Sequence, residues 1–231
     1  MSEPGAYKLF AWLSPAMPVG AYSFSHGLES AVEAGRVTDL ETLRAYIETV
    51  LRHGTGWTDA LFLRVAFEAG VDGAFEGVSL PGILTTAAAQ RGTSELALES
   101  AAQGRALLAV LRQAWPAAAL DALDARCRQS ALEPAYAVVL GLAARSHGLP
   151  LETVLRAFLQ AFAANLISSG IRLIPLGQTD GQRLTAALEG LIAEVAAVVM
   201  ASGLDDLGSA APAIDLLSMA HETQYTRLFR S

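Results

Sequence analysis

The sequence has very little lysine and cysteine. Lys8 is the single lysine and Cys127 the single cysteine among 231 residues. The phosphate-binding loop of nucleotide hydrolases needs a Gly-Lys pair, but Lys8 follows Tyr7. A lone cysteine allows neither an intrachain disulfide nor a CxxC metal site, which suits a reducing compartment. The chain therefore has no phosphate-binding loop of its own.

Charge is also scarce. Charged residues make up 17% of the chain, the formal net charge is −7, and 52% of the residues are hydrophobic. An acidic chain without a basic stripe disfavours nucleic acid as a partner. The uncharged run from Leu9 to Ser25 is broken by Pro15 and Pro18, unlike the core of a signal peptide. The charge-free stretch Ala157 to Ile171 is too short or too polar for a membrane span. We therefore expect a soluble, cytoplasmic protein with no membrane partner.

Helical spacing of apolar residues runs through most of the chain. The clearest stripe begins at Leu151 and continues through Phe158 and Leu166. Capping boxes are predicted at Thr38–Glu41 and at Thr179–Gln182. No segment alternates in the manner of a strand, so a sheet is improbable.

The predicted fold class is all-α. We expect one helical-bundle-like domain over residues 1–231, with about nine to eleven helices. Residues 1–23 are predicted to form an irregular N-terminal arm. Residues 203–231 are predicted to form a linker and a partner-dependent C-terminal docking segment.

Two segments have sequence features that helix packing alone does not explain. Leu13 to Glu29 combines prolines and a glycine with apolar side chains, which is typical of an arm packed on the core or of a partner site. Ile171 to Gln182 joins two long helices through a proline and a glycine. This junction is either a simple kink or a rigid turn that presents Arg172 or Gln178 to a partner.

The third segment is His221 to Ser231. Helical spacing would place His221, Tyr225 and Leu228 near one face. Two arginines make the segment a basic patch on an acidic protein, and it is rich in the aromatic, leucine and arginine residues that anchor interfaces. We favour docking on a partner over folding against its own domain.

Metal binding and catalysis have little support in the sequence. The four histidines, His26, His53, His147 and His221, are scattered, with no HxH or HExxH spacing. His221 beside Glu222 is the best weak metal candidate, and imidazole suits nickel. The sequence shows no pattern of a catalytic triad or of a catalytic carboxylate pair. We therefore expect that the protein has no catalytic residues and is not an enzyme.

At these three segments the sequence resembles the urease accessory protein F (UreF) family. The pattern S-P-x-[LM]-P-x-G-x-[FY]-S-x-S-x-G-L-E is matched from Ser14 to Glu29. R-L-I-P-L-G-Q-T-D-G-Q is matched from Arg172 to Gln182, and S-M-x-H-E-x-x-Y-x-R-L-F-R-S from Ser218 to Ser231. The sequence departs from the family at His26, where glutamine is expected, and at Ser94 and Ala97, where arginines are frequent.

The resemblance implies an all-helical, non-enzymatic maturation factor that forms a homodimer. It would bridge a UreD/UreH-type accessory protein and a UreG-type GTPase on apo-urease. GTP hydrolysis by the partner would drive nickel insertion at a carbamylated lysine. No cofactor would be bound stably, and nickel would be handled by the assembled complex, through internal tunnels proposed for the family. The alternative is an activator or fidelity regulator that inserts a polar or arginine side chain into the partner GTPase.

The resemblance also implies which residues bind partners. Tyr225, Leu228 and Phe229 would be buried anchors, while Arg227 and Arg230 would bond to an acidic patch. Glu29 would cap a helix or form an ion pair. The full set of expected partner-binding residues is His221, Glu222, Tyr225, Arg227, Leu228, Phe229, Arg230, Arg172, Gln178, Pro18, Gly20, Phe24 and Glu29.

Overall fold

The structure, a computed structural model, describes residues 3–231, with side chains from residue 5 onward. Within that range the chain forms twelve α-helices. They are α1 (Glu3–Trp12), α2 (Leu28–Glu33), α3 (Leu40–His53), α4 (Thr55–Ala69), α5 (Leu80–Ala89), α6 (Ser94–Ala114), α7 (Ala118–Ser130), α8 (Tyr136–Ser146), α9 (Leu151–Leu173), α10 (Gln178–Ala187), α11 (Glu189–Ala201) and α12 (Pro212–His221). The predicted all-α class is confirmed.

The regular structure outside these helices is small. Two short 3-10 helices cover Ala21–Ser23 and Leu204–Asp206. An antiparallel hairpin pairs β1 (Ala74–Phe75) with β2 (Val78–Ser79), inside a stretch expected to be a loop. The hairpin links α4 to α5 and leaves the helical architecture unchanged.

The N-terminal arm is less irregular than expected. Its first half is α1, because Leu9 and Trp12 bury their side chains almost completely against the domain. The irregular part begins only after Trp12, where the two prolines follow. Met1 and Ser2, which belong to the predicted arm, lie outside the described residues.

Two predicted helix starts are shifted. The capping box of α3 is Asp39 with Thr42: the Thr42 N–H donates to Asp39 Oδ1 at 2.9 Å, and the Asp39 N–H donates to Thr42 Oγ1 at 3.1 Å. In α10 the Gly177 N–H donates to Asp180 Oδ2 at 3.2 Å. The boxes predicted at Thr38–Glu41 and Thr179–Gln182 are therefore wrong. In α3 the N-cap is Asp39, and in α10 the carboxylate that accepts from the N-cap amide belongs to Asp180, in the first turn.

The core is organised around α4 and α9. α4 packs against α3, α5, α8, α9 and α11, and its central residues Ala60–Leu63 are fully buried. α9 packs against α2, α3, α10 and α11, among others. α2 packs against α9, and α6 packs against α8, which itself packs against α4. The candidate site lies where α2 and the start of α6 meet the end of α12.

In the described part of the chain, α9 is long and apolar enough to cross a membrane by length and composition, and the bent pair α10–α11 passes the same test if it is counted as one span. Half of the most apolar window of α9 is buried inside the domain. The core contacts of α9 account for its apolar character.

Gly104 marks a close crossing between α6 and the segment entering α8. A Cβ there would overlap the Pro134 carbonyl oxygen and lie 2.9 Å from the Tyr136 backbone nitrogen. Gly104→Ala is expected to lower the free energy of unfolding by about 1–3 kcal/mol, because backbone must move. Gly190→Ala in α11 is the control, since its Cβ meets nothing within 4 Å. Urea unfolding of both variants checks this, and equal midpoints would contradict it.

Candidate functional site

The three segments singled out in the sequence meet in space. The Ser25 N–H donates to the Ser231 carbonyl oxygen at 2.7 Å, and the Arg230 N–H donates to the Ser23 carbonyl oxygen at 2.7 Å. The junction joins them through Arg172, whose Nη2 donates to the Tyr22 carbonyl oxygen at 2.8 Å. Residues separated by about the whole length of the chain therefore form one surface.

The junction arginine also holds the tail. The Arg172 guanidinium carbon lies 4.2 Å from the centroid of the Phe229 ring, a cation–π contact. Burial lowers the pKa of Arg172. The sequence left open whether the junction is a simple kink or presents Arg172 to a partner. In the structure, Arg172 makes supporting contacts within its own chain. Gln178 is exposed in the first turn of α10.

Glu29 organises the backbone of the tail. It lies in the first turn of α2, and its Oε1 accepts from the Leu228 N–H at 2.6 Å. Its Oε2 accepts from the Phe229 N–H at 2.9 Å and lies 3.1 Å from His221 Nε2. Glu29 was expected to cap a helix or form an ion pair. It forms an ion pair and fixes two amides that lie about 200 residues away in sequence.

A glycine allows α12 to approach α2. Gly27 has φ 77°, and a Cβ there would lie 2.8 Å from the Ser218 backbone nitrogen. A side chain at this position would push away the helix that carries His221. In the Gly-Leu-Glu of the N-terminal motif, Gly27 thus allows the close packing of α12, and Glu29 binds the tail.

Glu95 is the second carboxylate of the site. It lies in the first turn of α6, with Oε2 2.7 Å from His221 Nδ1 and Oε1 2.8 Å from Arg227 Nη1. Arg227 was expected to bond to an acidic patch on a partner. Here it bonds to a carboxylate of its own chain.

Glu99 is the third carboxylate, one turn further along α6. Its Oε1 lies 3.2 Å from His26 Nε2 and accepts from Gln103 Nε2 at 2.8 Å. Its Oε2 lies 3.4 Å from Ser231 Oγ. We refer to Glu29, Glu95, Glu99, His26, His221 and Arg227 together as the carboxylate cluster.

The glutamates and histidines of the carboxylate cluster are buried, while Arg227 lies at its exposed edge. His221 has no exposed area, and Glu29, Glu95, Glu99 and His26 are each 7–8% exposed. Buried carboxylates are costly unless positive charge and hydrogen bonds compensate them. The cluster therefore ties the C-terminal segment to α2 and α6 as a unit.

The C-terminal segment differs from its predicted form. α12 ends at His221, so Tyr225 and Leu228 do not share a helical face with that histidine. The segment packs on its own domain, which is the alternative that the sequence left open. Phe229, expected as a partner anchor, is only 4% exposed and is buried within the chain.

Several tail side chains remain on the surface. Tyr225 is fully exposed and Leu228 is 61% exposed, and on α12 so are Leu216 at 65% and Met219 at 46%. We call Leu216, Met219, Tyr225 and Leu228 the apolar tail surface. Isolated exposed apolar residues are ordinary, but this number in one short segment is typical of an interaction site.

Glu222 and Arg230, the two remaining tail residues of the predicted set, contact the chain at the edge of the carboxylate cluster. Glu222 Oε1 accepts from both the N–H and the Oγ of Ser94 at 2.7 Å, at the start of α6. Arg230 is exposed, and its guanidinium carbon lies 5.7 Å from the centroid of the buried Phe24 ring. The tail is thus held by charged contacts on both sides of the cluster.

The irregular part of the arm covers a cavity of about 420 Å³. Pro18 is exposed on the arm, and Gly20 takes a left-handed conformation with φ 76° that starts the short 3-10 helix. On the inner wall Arg91 Nη2 donates to Asp59 Oδ1 at 2.5 Å. The cavity borders the carboxylate cluster through His26 and Glu99.

Within residues 3–231 no group of three or more His, Cys, Asp or Glu side chains is placed to hold a metal ion. Both ring nitrogens of His221 face carboxylates. His147 bonds to Lys8 Nζ at 3.1 Å and to the Trp115 carbonyl oxygen at 3.2 Å. Burial and the Lys8 ammonium lower the pKa of His147. Burial raises the pKa of Cys127 to about 11, which keeps it a thiol near neutral pH.

Comparison with known proteins decides the family. The UreF family model matches residues 37–189. A urease accessory protein UreF of Bradyrhizobium diazoefficiens is 48% identical over 225 residues, which cover 97% of this chain and 91% of the relative. The chain belongs to the UreF family. As a member of this family it has a role in urease maturation.

Other UreF relatives extend along the whole chain. One from Rhodopseudomonas palustris strain HaA2 is 46% identical over 235 residues, covering 100% of this chain and 96% of the relative. One from Granulibacter bethesdensis is 47% identical over 229 residues, covering 99% and 95%. The similarity thus includes both ends that form the site in this UreF-family chain.

Sequence reasoning missed Glu95 and Glu99. They lie at i and i+4 on α6, followed by Gln103 at i+8, and together form a polar stripe on a buried helix face. That stripe was the available signal, since a polar row among buried positions predicts partners from another segment. The identity of those partners depends on long-range packing.

Proposed function

We propose that this UreF-family chain is a non-enzymatic scaffold in urease maturation. It would bridge a UreD/UreH-type accessory protein and a UreG-type GTPase on apo-urease. The observation that carries this proposal is that some residues of the C-terminal segment are buried in the domain while others stay exposed. The carboxylate cluster and Phe229 hold the backbone of the tail, while Tyr225 and Leu228 remain on the surface.

The apolar tail surface is the proposed docking site of the UreD/UreH-type partner. Interface anchors are most effective when their backbone is fixed before binding, because less ordering entropy is then lost. Glu29 accepts hydrogen bonds from the amides of Leu228 and Phe229, and so holds the backbone that carries the exposed Leu228 side chain in place before binding. Arg227 and Arg230 at the edge favour a partner with acidic groups around an apolar centre.

The arm and the junction are the proposed GTPase-recruiting face. Tyr22 is 71% exposed, and Pro18 and Gln178 are also on the surface. Arg172 links this face to the tail by bonding to the Tyr22 backbone and stacking on Phe229. Docking at the tail would therefore stabilise the arm through one shared side chain.

Nickel is the cargo of this proposed complex. We propose that the assembled complex handles nickel, with GTP hydrolysis supplied by the partner, and that this chain binds no cofactor stably. The chain lacks the Gly-Lys pair of a phosphate-binding loop, which supports the proposal that GTP hydrolysis belongs to the partner. We further propose that the chain is a cytoplasmic homodimer.

The test is a pull-down from cells carrying the urease operon, with the full chain as bait. The proposal predicts recovery of the UreD/UreH-type protein, the GTPase and urease subunits. Recovery of none of them would contradict it.

The scaffold proposal is favoured over the alternative of GTPase activation. The arginines of the site, Arg172, Arg227 and Arg230, all contact groups of their own chain and would have to leave them to enter another active site. A scaffold changes assembly and leaves kcat of the GTPase unchanged. Measuring GTP hydrolysis by the partner with and without the chain separates the two: a higher kcat would support the activator.

A further inference from the structure

The cavity beneath the arm is large enough to hold a small organic molecule. Its volume of about 420 Å³ falls within the range of about 300–1,000 Å³ that is typical of ligand pockets. Its walls come from α1, the arm, the loop before α6, and the helices α4, α6, α8 and α9. In the described part of the chain no residue after Ser168 lines it, so its walls do not include the C-terminal segment.

Two buried N–H groups on the cavity wall have no acceptor within the described part of the protein. Trp12 is fully buried, and its indole Nε1 has no hydrogen-bond partner there. The Arg91 side chain is 5% exposed; its Nη2 donates to Asp59, whereas its Nε has no partner among the described residues. Buried donors in folded proteins are nearly always paired. These two therefore favour a ligand that brings hydrogen-bond acceptors into the cavity.

Both donors are held in place by neighbouring groups. The Trp12 ring packs edge-on against Trp115, with 6.1 Å between the ring centroids, and against His147, with 5.3 Å. Arg91 is fixed by its bond to Asp59 Oδ1 at 2.5 Å. A ligand that meets donors already in position loses less ordering entropy when it binds.

The charges on the wall select a neutral ligand. Asp59 and Glu99 are carboxylates, and Arg91 is the guanidinium among the described lining residues. His26 Nε2 lies 3.2 Å from Glu99 Oε1, and even a protonated His26 would only bring the balance to zero. An anion therefore finds no surplus positive charge to offset its loss of water. A cation accepts no hydrogen bond and would leave both orphan donors unpaired.

Apolar side chains form much of the remaining wall. Met17 of the arm, Leu96 of α6 and Phe158 of α9 are buried and line the cavity. Water beside such surfaces finds few hydrogen-bond partners, whereas an apolar group gains free energy by contact with them. The wall therefore favours a ligand with an apolar body as well as acceptor atoms.

We propose that the cavity is a binding site for a small, neutral amide with an apolar body. The amide carbonyl oxygens accept from Trp12 Nε1 and Arg91 Nε, and the amide N–H groups face the Asp59 carboxylate. The apolar body lies between Met17 and Phe158, and so links the arm to the core. The site is independent of the proposed docking at the C-terminal segment, so either proposal can fail alone.

The first test is a titration of the full, unaltered chain with N-acetyl-leucinamide, followed by the NMR signals of the tryptophan indole N–H groups. The three tryptophans give three signals, and Trp12→Phe identifies the one from Trp12. We expect the Trp12 signal to shift saturably. The Trp57 signal should stay in place, because Trp57 Nε1 donates to the Asp206 carbonyl oxygen at 3.3 Å and Trp57 is not among the lining residues.

Two matched probes test the selection by charge. N-acetyl-leucine carries a negative charge and leucinamide a positive charge on the same apolar body. Both are expected to bind at least about tenfold more weakly than the neutral probe, because neither charge is compensated on the wall. Equal binding of all three probes would overturn the proposal, and so would the absence of a saturable Trp12 shift, which would leave the cavity to water.

A variant tests the second donor. Arg91→Lys keeps a positive charge beside Asp59 but removes the Nε donor, and we expect it to weaken binding of the neutral probe by about tenfold. Arg36→Lys is the matched control, because Arg36 is exposed and does not line the cavity. Equal affinity of the two variants would remove Arg91 from the site and contradict the proposal.

Hydrogen exchange in the unaltered chain tests the link to the arm without any variant. The Met17 amide donates to the Ser14 carbonyl oxygen at 2.9 Å, and the Val19 amide to the Met17 carbonyl oxygen at 2.7 Å. With the neutral probe at ten times its dissociation constant, exchange of both amides should slow by about tenfold, because the arm must release the ligand to open. Unchanged exchange at saturation would place the ligand elsewhere and contradict the proposed site.

Discussion

Replacing both Tyr225 and Leu228 with aspartate is expected to abolish capture of the UreD/UreH-type partner while leaving the fold intact. Tyr225 is fully exposed and Leu228 is 61% exposed, so neither side chain contributes much to the core. Anchor residues at interfaces are worth about 2–4 kcal/mol each, which corresponds to a loss of affinity of about 30-fold or more per residue. Two new negative charges would add repulsion against a partner with acidic groups.

The measurement is the dissociation constant for the purified partner, together with thermal unfolding of the variant. Tyr7→Asp is a suitable control, because Tyr7 is 68% exposed on α1 and lies outside the apolar tail surface. The control should bind normally. Normal binding by the double variant would remove the apolar tail surface from the proposed interface.

The second large effect is expected from Glu29→Ala. This change removes the acceptor of the Leu228 and Phe229 amides and one carboxylate that faces His221. Breaking a buried charged pair costs about 3–5 kcal/mol. The cost falls on the attachment of the tail, because the helical core around α4 and α9 does not depend on these contacts.

Hydrogen exchange measures this directly. Amides from residue 222 to residue 231 should exchange much faster in Glu29→Ala, with little change in α4. Glu33→Ala is the matched control, since Glu33 is an exposed glutamate on the same helix. Unchanged protection of the tail would show that Glu29 does not organise it.

Much of the fold follows from local pattern. The apolar stripe of α9 and the Thr93 start of α6 are both predictable, because they depend on residues within a few turns. The start of α3 shows the limit of this reasoning. Thr38 and Asp39 are both good caps, and only the backbone geometry selects Asp39.

The site is less predictable because it is built from distant contacts. Glu29 was recognisable within its motif, but its acceptor role depends on amides at the other end of the chain. α1 was missed because Leu9 and Trp12 gain stability from tertiary burial. The tail resembled a free docking peptide because Phe229 and the arginines suit either a partner or the chain itself. The three-dimensional structure assigns Phe229 to the chain and leaves Tyr225 exposed.

The central claim is that this chain enables urease maturation as a scaffold. The most direct measurement is activation of apo-urease by nickel and GTP with purified UreD/UreH-type and UreG-type partners, with and without the chain. We predict active urease with the unaltered chain and little with the Tyr225→Asp, Leu228→Asp double variant. The kcat of GTP hydrolysis should be the same in all reactions. Equal urease activity without the chain, or full activity with the double variant, would contradict the account.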